Sequence, residues 1–436
     1  MTSESVAARR SSAAAPVAAA RPRLRHSFGW TLAGNVVWAG SQWGLVVVLA
    51  RLASPEALGT FALALAITAP AFLLAGLHLR ASQATDAARA FRFGDYLSVR
   101  IAGMAIALGA LAALEALSGR GLAASAVVLA VGATKAIEGL SDVHHGALQQ
   151  HERMRPIAVS LVAKGALSVL AFAIVPAAGG GLLAAVGAMG VAWLLVLVLW
   201  DVPAAGATLR AAGEALRPRL DRAAAARLVA TSLPLGLVMM LVSLRVNVPR
   251  YFLERFVGTA GLGEFAALAS LLVAGGVVVN ALGQAATPRL AALHVAGDRA
   301  AFRALVLRLL ALAAGLGVAG VAVAAVAGEP ILRLLFGARF GGRADLLVLL
   351  MAIGVPANAA SILGFALTAA RRFAVQLPVF AGTTAACAAL CLWLVPGGGL
   401  RGAALAWGGS MLLEVAAVGL LLALTLRHLP AGRRTS

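Results

Sequence analysis

Four ionisable side chains lie at helical spacing inside one otherwise apolar stretch of the sequence. Lys135, Glu138, Asp142 and His145 follow one another at intervals of three or four residues, and Gln149 continues the series. This spacing places them on one face of a helix. A charge at the centre of a bilayer costs about 3 kcal/mol or more. Charges kept there are therefore candidates for contact with a polar substrate or with one another.

Lys164, in the next apolar stretch, is predicted at a similar depth, about 12 Å from the inner end of its helix against about 15 Å for Lys135. The two stretches form a helical hairpin, so these groups can meet, and two explanations stay open. The two lysines can be neutralised by Glu138 and Asp142, as buried charges usually are. Alternatively, Lys135 and Lys164 contact a substrate. Glu138, Asp142 and His145 then form a polar network in a cavity.

Two further charges lie in the second half of the chain. Arg245, between Ser243 and Asn247, is predicted near the outer end of its helix, where it either reaches toward water or contacts an anion in a cavity. Glu414 has no basic residue within a helical turn. It is expected to be protonated, paired across helices or facing water, and it is a candidate coupling carboxylate.

The elements that must hold these residues are membrane-spanning helices. The chain is 61% hydrophobic and 12% charged, and apolar runs of about 20 residues recur along nearly its whole length. This excludes a soluble enzyme. The sequence predicts an all-α integral membrane protein with twelve helices: 30–50, 58–78, 97–118, 122–145, 156–177, 181–200, 228–248, 260–283, 303–327, 345–369, 373–396 and 400–426.

The side of the membrane on which each loop lies follows from the basic residues. Threading the helices alternately places most of the 36 Lys and Arg on the side of the Arg-rich amino-terminal tail. This side is predicted to be cytoplasmic and to carry both termini, and the opposite side is called the outer side below. The net charge of +19 lies in short loops, so no nucleic-acid partner is predicted. No metal-ligand, phosphate-loop or nucleophile pattern occurs, so neither a metal nor another cofactor is predicted.

The sequence predicts five segments. An Arg-rich cytoplasmic tail, expected to be disordered, precedes an amino-terminal six-helix bundle. An amphipathic linker on the inner membrane surface then leads to a carboxy-terminal six-helix bundle and a short cytoplasmic tail. Their ranges are 1–29, 30–200, 201–227, 228–426 and 427–436.

The two bundles carry a weak internal repeat. The segment 58–62 (LGTFA) matches the segment 262–266 (LGEFA) at corresponding places in the two halves. The same alignment places Pro70 against Gly275 and Gly276, and matched helix breakers point to moving helices in a transporter. Six helices separate the repeats, so they are predicted to be parallel, with a pseudo-two-fold axis along the membrane normal. Candidate hinges are Pro70, Gly275, Gly276, Pro234 and Pro356.

Three stretches carry a resemblance to a known family: 49–86, 138–160 and 233–293. They resemble the bacterial polysaccharide-export flippases of the multidrug/oligosaccharidyl-lipid/polysaccharide exporter superfamily. The resemblance implies a V-shaped alternating-access transporter in the bacterial inner membrane. Its substrate would be an undecaprenyl-diphosphate-linked oligosaccharide for surface polysaccharide synthesis, lipopolysaccharide included, and other polysaccharide assembly proteins are candidate partners. A diphosphate needs cations, and Lys135, Lys164 and Arg245 are the basic residues assigned to that role.

Three other functions compete with this one. A cation-coupled multidrug antiporter of the same superfamily is disfavoured because residues 30–50 contain no Asp or Glu. A membrane oligosaccharide polymerase or ligase is disfavoured because the predicted outer loops are short. A scaffold protein leaves the matched helix breakers unexplained.

Overall fold

The computed structural model describes residues 24–86, 89–370 and 376–427, and over these residues the chain is helical, with no strand. The predicted amino-terminal tail lies outside the described residues except for its last six, and the carboxy-terminal tail lies outside except for Arg427. The helices are α1 (Leu24–Leu52), α2 (Pro55–Gly76), α3 (Leu79–Thr85), α4 (Phe93–Leu117), α5 (Leu122–Gln150), α6 (Met154–Ala177), α7 (Leu182–Val196), α8 (Val202–Ala211), α9 (Arg222–Phe256), α10 (Thr259–Val295), α11 (Arg299–Phe336), α12 (Ala344–Ala369) and α13 (Gln376–Arg427).

Eleven helical segments of the described chain are long and apolar enough to cross a membrane. The last of them, α13, has 52 residues and is broken at Gly399, where φ is 51° and ψ is −129°. Glycine adopts this conformation without the steric cost that a Cβ would bring. The break divides α13 into two segments, 376–398 and 400–427. The described chain therefore makes twelve crossings, which agrees with the predicted helix order.

The connection between the two halves differs from the predicted surface helix over 201–227. The α7 helix continues through a π-helical turn, Leu197–Asp201, into α8, which ends at Ala211. Residues 212–221 are not helical: Gly213 has a positive φ, and the N–H of Arg219 donates to the carbonyl of Gly94 at 3.1 Å. Asp221 caps α9 by accepting from the N–H of Ala224, which lowers the pKa of Asp221.

The helices pack as two lobes. In the first, α1 lies along α6, and α5 packs against α2, α4 and α7. In the second, α9 packs along α13, and α12 lies between α11 and α13. The lobes meet mainly where α2 contacts α9 and α10.

The two copies of the repeat pack against each other at the outer side of this interface. A Cβ at Gly59 would collide with the carbonyl of Thr259, and a Cβ at Gly263 would collide with the carbonyl of Pro55. The backbones of α2 and α10 are therefore in direct contact, which only glycine allows. The repeated glycine marks the place where the two halves cross.

On the face formed by α1 and α10, the lobes part toward the predicted cytoplasmic side. Along α10, residues 265–269 are buried, whereas Val273, Val277 and Val278 are 55%, 43% and 53% exposed. Along α1, Leu45 and Leu49 are buried, but Leu32 and Val36 nearer its start are more than half exposed. Because α1 and α10 each lose contact with the other lobe toward the predicted cytoplasmic side, the face between them is open there, whereas α9 still packs against the end of α2 at Leu77.

The five candidate hinge residues all lie inside continuous helices. Pro70 is in α2, Pro234 in α9 and Pro356 in α12, each within an unbroken helical range. Gly275 and Gly276 lie in α10, where a Cβ would meet nothing within 4 Å. Their role as hinges stays a prediction.

Candidate functional site

A stripe of half-buried charges follows α5. Lys135 Nζ lies 2.7 Å from Glu138 Oε2, and their side chains are 26% and 35% exposed. Asp142 and Gln149 continue the stripe and are also partly exposed. Charged groups within membrane spans face the protein interior or water rather than lipid. These side chains therefore line a space that water can enter.

Two arginines from neighbouring helices complete this stripe. Asp142 accepts from Arg80 of α3 at 3.2 Å and from Arg100 of α4 at 3.3 Å. Arg80 also donates to Gln149 Oε1 at 3.1 Å. The cationic stripe, defined as Lys135, Glu138, Asp142, Arg80 and Arg100, holds three cations and two carboxylates, and carries one excess positive charge.

The turn between α2 and α3 positions Arg80. Leu77 and His78 both adopt left-handed conformations, with φ of 49° and 51°, which cost non-glycine residues free energy. The turn ends α2 and lays α3 against α5. Arg80 keeps 32% of its side chain exposed, whereas Arg100 is 4% exposed. Lys135 and Arg80 are therefore the two cations of the stripe that a ligand can reach.

Lys164 is held in a separate, fully buried network. Its Nζ donates to Asp201 Oδ2 at 2.7 Å and to Ser141 Oγ at 2.6 Å. His145 Nε2 lies 3.2 Å from both Asp201 Oδ1 and Ser160 Oγ. The Lys164 and Asp201 side chains are 2% and 0% exposed, respectively. In this conformation the Lys164 ammonium donates to two buried acceptors and is out of reach of a substrate.

Of the two explanations left open for the hairpin, mutual neutralisation of its four charges is seen only in part. Lys135 does pair with Glu138, but Asp142 pairs with Arg80 and Arg100, and Lys164 pairs with Asp201. His145, which was predicted to form a network with Glu138 and Asp142, joins the Lys164 network rather than the stripe. The polar groups of this lobe thus form two sets, one partly exposed and one buried.

Arg245 and Glu414 form an ion pair between α9 and the second segment of α13. Both side chains are less than 10% exposed, and the Arg245 guanidinium lies 5.7 Å from the centre of the Phe380 ring. Among the alternatives expected for Glu414, pairing across helices is the one seen. The α9 helix continues through Pro249 to Phe256, so Arg245 lies eleven residues, or about 16 Å along the axis, before the end of the helix. Arg245 therefore lies deeper than predicted.

We expect Arg245→Met to lower the amount of folded protein more than the double variant Arg245→Met/Glu414→Gln does. The single change leaves a buried carboxylate without its partner, at a cost of about 3 kcal/mol or more, whereas the double change removes both charges. The thermal midpoint of purified protein in detergent measures the difference. Equal midpoints for the single and double variants would contradict a structural role for the pair.

Sequence reasoning missed Arg80, Arg100 and Asp201. Arg80 and Arg100 lie close to the ends of predicted helices, where basic residues are common and carry no signal of their own. Asp201 was placed in the linker, one residue beyond the predicted end of its helix. Within the described ranges no group of three or more His, Cys, Asp or Glu residues could hold a metal ion.

Comparisons with known proteins agree with this architecture. The family profile described as "Polysaccharide biosynthesis protein" matches residues 24–294. The capsular polysaccharide biosynthesis protein CapF of Staphylococcus aureus is 25% identical over 326 residues, which cover 74% of this chain and 80% of CapF.

Two solved structures show the same fold. The lipid II flippase MurJ, in an inward closed conformation, superposes with a TM-score of 0.71 at 12% identity, covering 91% of this chain and 87% of MurJ. An inward-facing multidrug resistance transporter of the MATE family, within the MOP superfamily, gives a TM-score of 0.70 at 16% identity, covering 93% of this chain and 99% of its own. These likenesses confirm the two-lobe helical fold. The profile spans more than half of the 436 residues, which confirms the resemblance found in the sequence, and the chain belongs to the polysaccharide biosynthesis protein family.

Proposed function

We propose that the protein is a non-enzymatic flippase that carries an undecaprenyl-diphosphate-linked oligosaccharide from the cytoplasmic to the outer leaflet of the bacterial inner membrane. Both termini are then cytoplasmic, as the distribution of basic residues predicts. The relatives support membership of a transporter family. The substrate is inferred from the chemistry of the cationic stripe.

The observation that carries the proposal is the pair of reachable cations, Lys135 and Arg80, within the membrane-spanning lobe. Each is held by a carboxylate, Glu138 or Asp142, at 2.7 and 3.2 Å. A diphosphate offers several oxygen acceptors and more negative charge than one carboxylate, so it can compete for both cations. Arg100, beneath Asp142, then keeps that carboxylate paired while the substrate is bound.

The shape of the structure also suits a substrate with a lipid tail. The lobes are apart at the start of α1 and along the second half of α10, and apolar side chains such as Leu32, Val36 and Val277 are exposed there. A headgroup in the polar interior and a tail in the bilayer could then be accommodated together. The headgroup would be released on the outer side after the lobes close on the cytoplasmic side and part on the outer side.

The proposal is tested by deleting the gene and measuring lipid-linked oligosaccharide and surface polysaccharide. We expect complete oligosaccharide units to accumulate on the inner leaflet and surface polysaccharide to disappear, with both effects reversed by the intact gene. Unchanged surface polysaccharide together with increased sensitivity to toxic cations would instead support a multidrug antiporter. Accumulation on the outer leaflet would support a polymerase or ligase.

A further inference from the structure

The outer ends of the two lobes are joined by a reciprocal pair of arginines. Arg51, in the last turn of α1, donates to the carbonyls of Leu335, at 2.9 Å, and Leu334 in the last turn of α11. Arg339, which follows α11, donates to the carbonyls of Ala53, at 2.8 Å, and Ala50 at the end of α1. Each arginine thus reaches the end of a helix in the other lobe.

These carbonyls are natural acceptors for a cation. The last four carbonyls of a helix have no partner within the helix, and the helix dipole adds partial negative charge at that end. Arg51 and Arg339 therefore each cap the partner helix at its carboxyl end. Because each bond crosses between lobes, neither can persist once the outer ends of α1 and α11 move apart.

The glycine crossing lies next to these bonds. Gly59 of α2 and Gly263 of α10 bring the two repeats into backbone contact a few residues from the end of α1. Tyr251 of α9 adds a further contact, since its hydroxyl donates to the carbonyl of Ala66 on α2. We call this region the outer seam: Arg51 and Arg339 with the carbonyls that accept from them, and the two crossing glycines, Gly59 and Gly263. It closes the side opposite the opening.

We propose that the outer seam is the gate through which this protein opens outward, with Arg51 and Arg339 as the latch that holds it closed. The bonds are partly exposed to water, and an arginine–carbonyl bond of this kind is strong enough to bias an equilibrium between two conformations yet weak enough to break in each cycle. The glycines let the seam close without a gap. The proposal concerns conformation only and does not depend on which substrate is carried.

The latch is tested by measuring the reactivity of single cysteines toward a membrane-impermeant maleimide. Cys387 and Cys391 are first replaced by alanine, and a reporter cysteine is then introduced at Ala266, buried near the outer end of α10, or at Ala274, exposed about two turns further toward the inner side. In Arg51→Ala/Arg339→Ala we expect labelling of the cysteine at 266 from the outer side to rise about tenfold. Labelling at 274 from the opposite side should fall.

The reciprocal change separates opening of a gate from loss of structure, because unfolding would raise the labelling rate at both positions. The control is Arg333→Ala, which removes an arginine from the same end of α11 whose ion pair with Glu329 stays within one lobe. Arg51→Lys/Arg339→Lys should restore part of the protection. Unchanged rates in the double alanine variant, or rates that rise at both positions, would overturn the proposal.

A second variant acts on the seam without touching the arginines. Gly263→Ala places a methyl group against the carbonyl of Pro55, so it should hold the seam apart and change the two rates in the same directions as the latch variant. If Gly263→Ala left the cysteine at 266 protected and the one at 274 reactive, the glycine crossing would have no part in the gate.

Discussion

Replacing both reachable cations, in Lys135→Gln/Arg80→Gln, is expected to abolish transport while the protein still reaches the membrane at its normal level. A charge-assisted hydrogen bond contributes about 1.5–3 kcal/mol, so losing two of them should reduce binding of a diphosphate at least about a hundredfold. The cost to folding is expected to be smaller than for a fully buried pair, because Glu138 is partly exposed and Asp142 keeps Arg100 as its partner. The measurement is surface polysaccharide in deletion cells that express each variant.

The matched control removes the same amount of charge from exposed positions outside the stripe. Arg210 and Arg303 are both exposed, on α8 and α11, so Arg210→Gln/Arg303→Gln should leave transport intact. The charge-conserving variant Lys135→Arg should keep most of the activity, since arginine also binds phosphate oxygens. Full restoration of polysaccharide by the double glutamine variant would remove the cationic stripe from the substrate path.

The number and order of the spanning helices could be predicted because a bilayer imposes one length on every crossing. The short turn between α4 and α5 was predicted at 119–121, and the structure places it after Leu117 and before Leu122. The second short turn, predicted at 370–372, lies partly outside the described residues. What the sequence could not predict was where helices continue beyond their predicted ends, as α9 does to Phe256.

The ionisable residues of the candidate site could be found one by one, because a charge in an apolar stretch stands out against its neighbours. Their partners could not, since helical spacing reports only which residues share a face. Asp142 binds Arg80, which is 62 residues away along the chain, and Arg100, which is 42 residues away. Such pairs depend on how helices pack, and sequence periodicity holds no information about this.

The repeat shows the same limit. The matching segments 58–62 and 262–266 indicated related halves, but the match gave no reason to expect the two glycines to touch. Contact follows from the pseudo-two-fold axis: a residue on the axis meets its own counterpart, as in a symmetric dimer. At such a position a side chain would meet its own copy, and in this chain glycine removes that conflict.

Lys164→Met is expected to lower the amount of folded protein sharply, whereas Lys164→Met/Asp201→Asn should restore it. The single change leaves the fully buried Asp201 carboxylate with the His145 ring but no cation beside it, and breaking a buried pair from one side costs about 3–5 kcal/mol. The double change leaves no charge that lacks a partner. Membrane level and thermal midpoint of the two variants measure this difference.

The same two variants decide whether Lys164 also binds diphosphate. If the lysine only stabilises the lobe, transport per folded molecule should be normal in the double variant. If conformational change exposes Lys164 to the substrate, the double variant should be abundant and stable yet inactive, because no cation remains at that position. A single variant that is as stable as the unchanged protein would show that the buried network contributes little to folding.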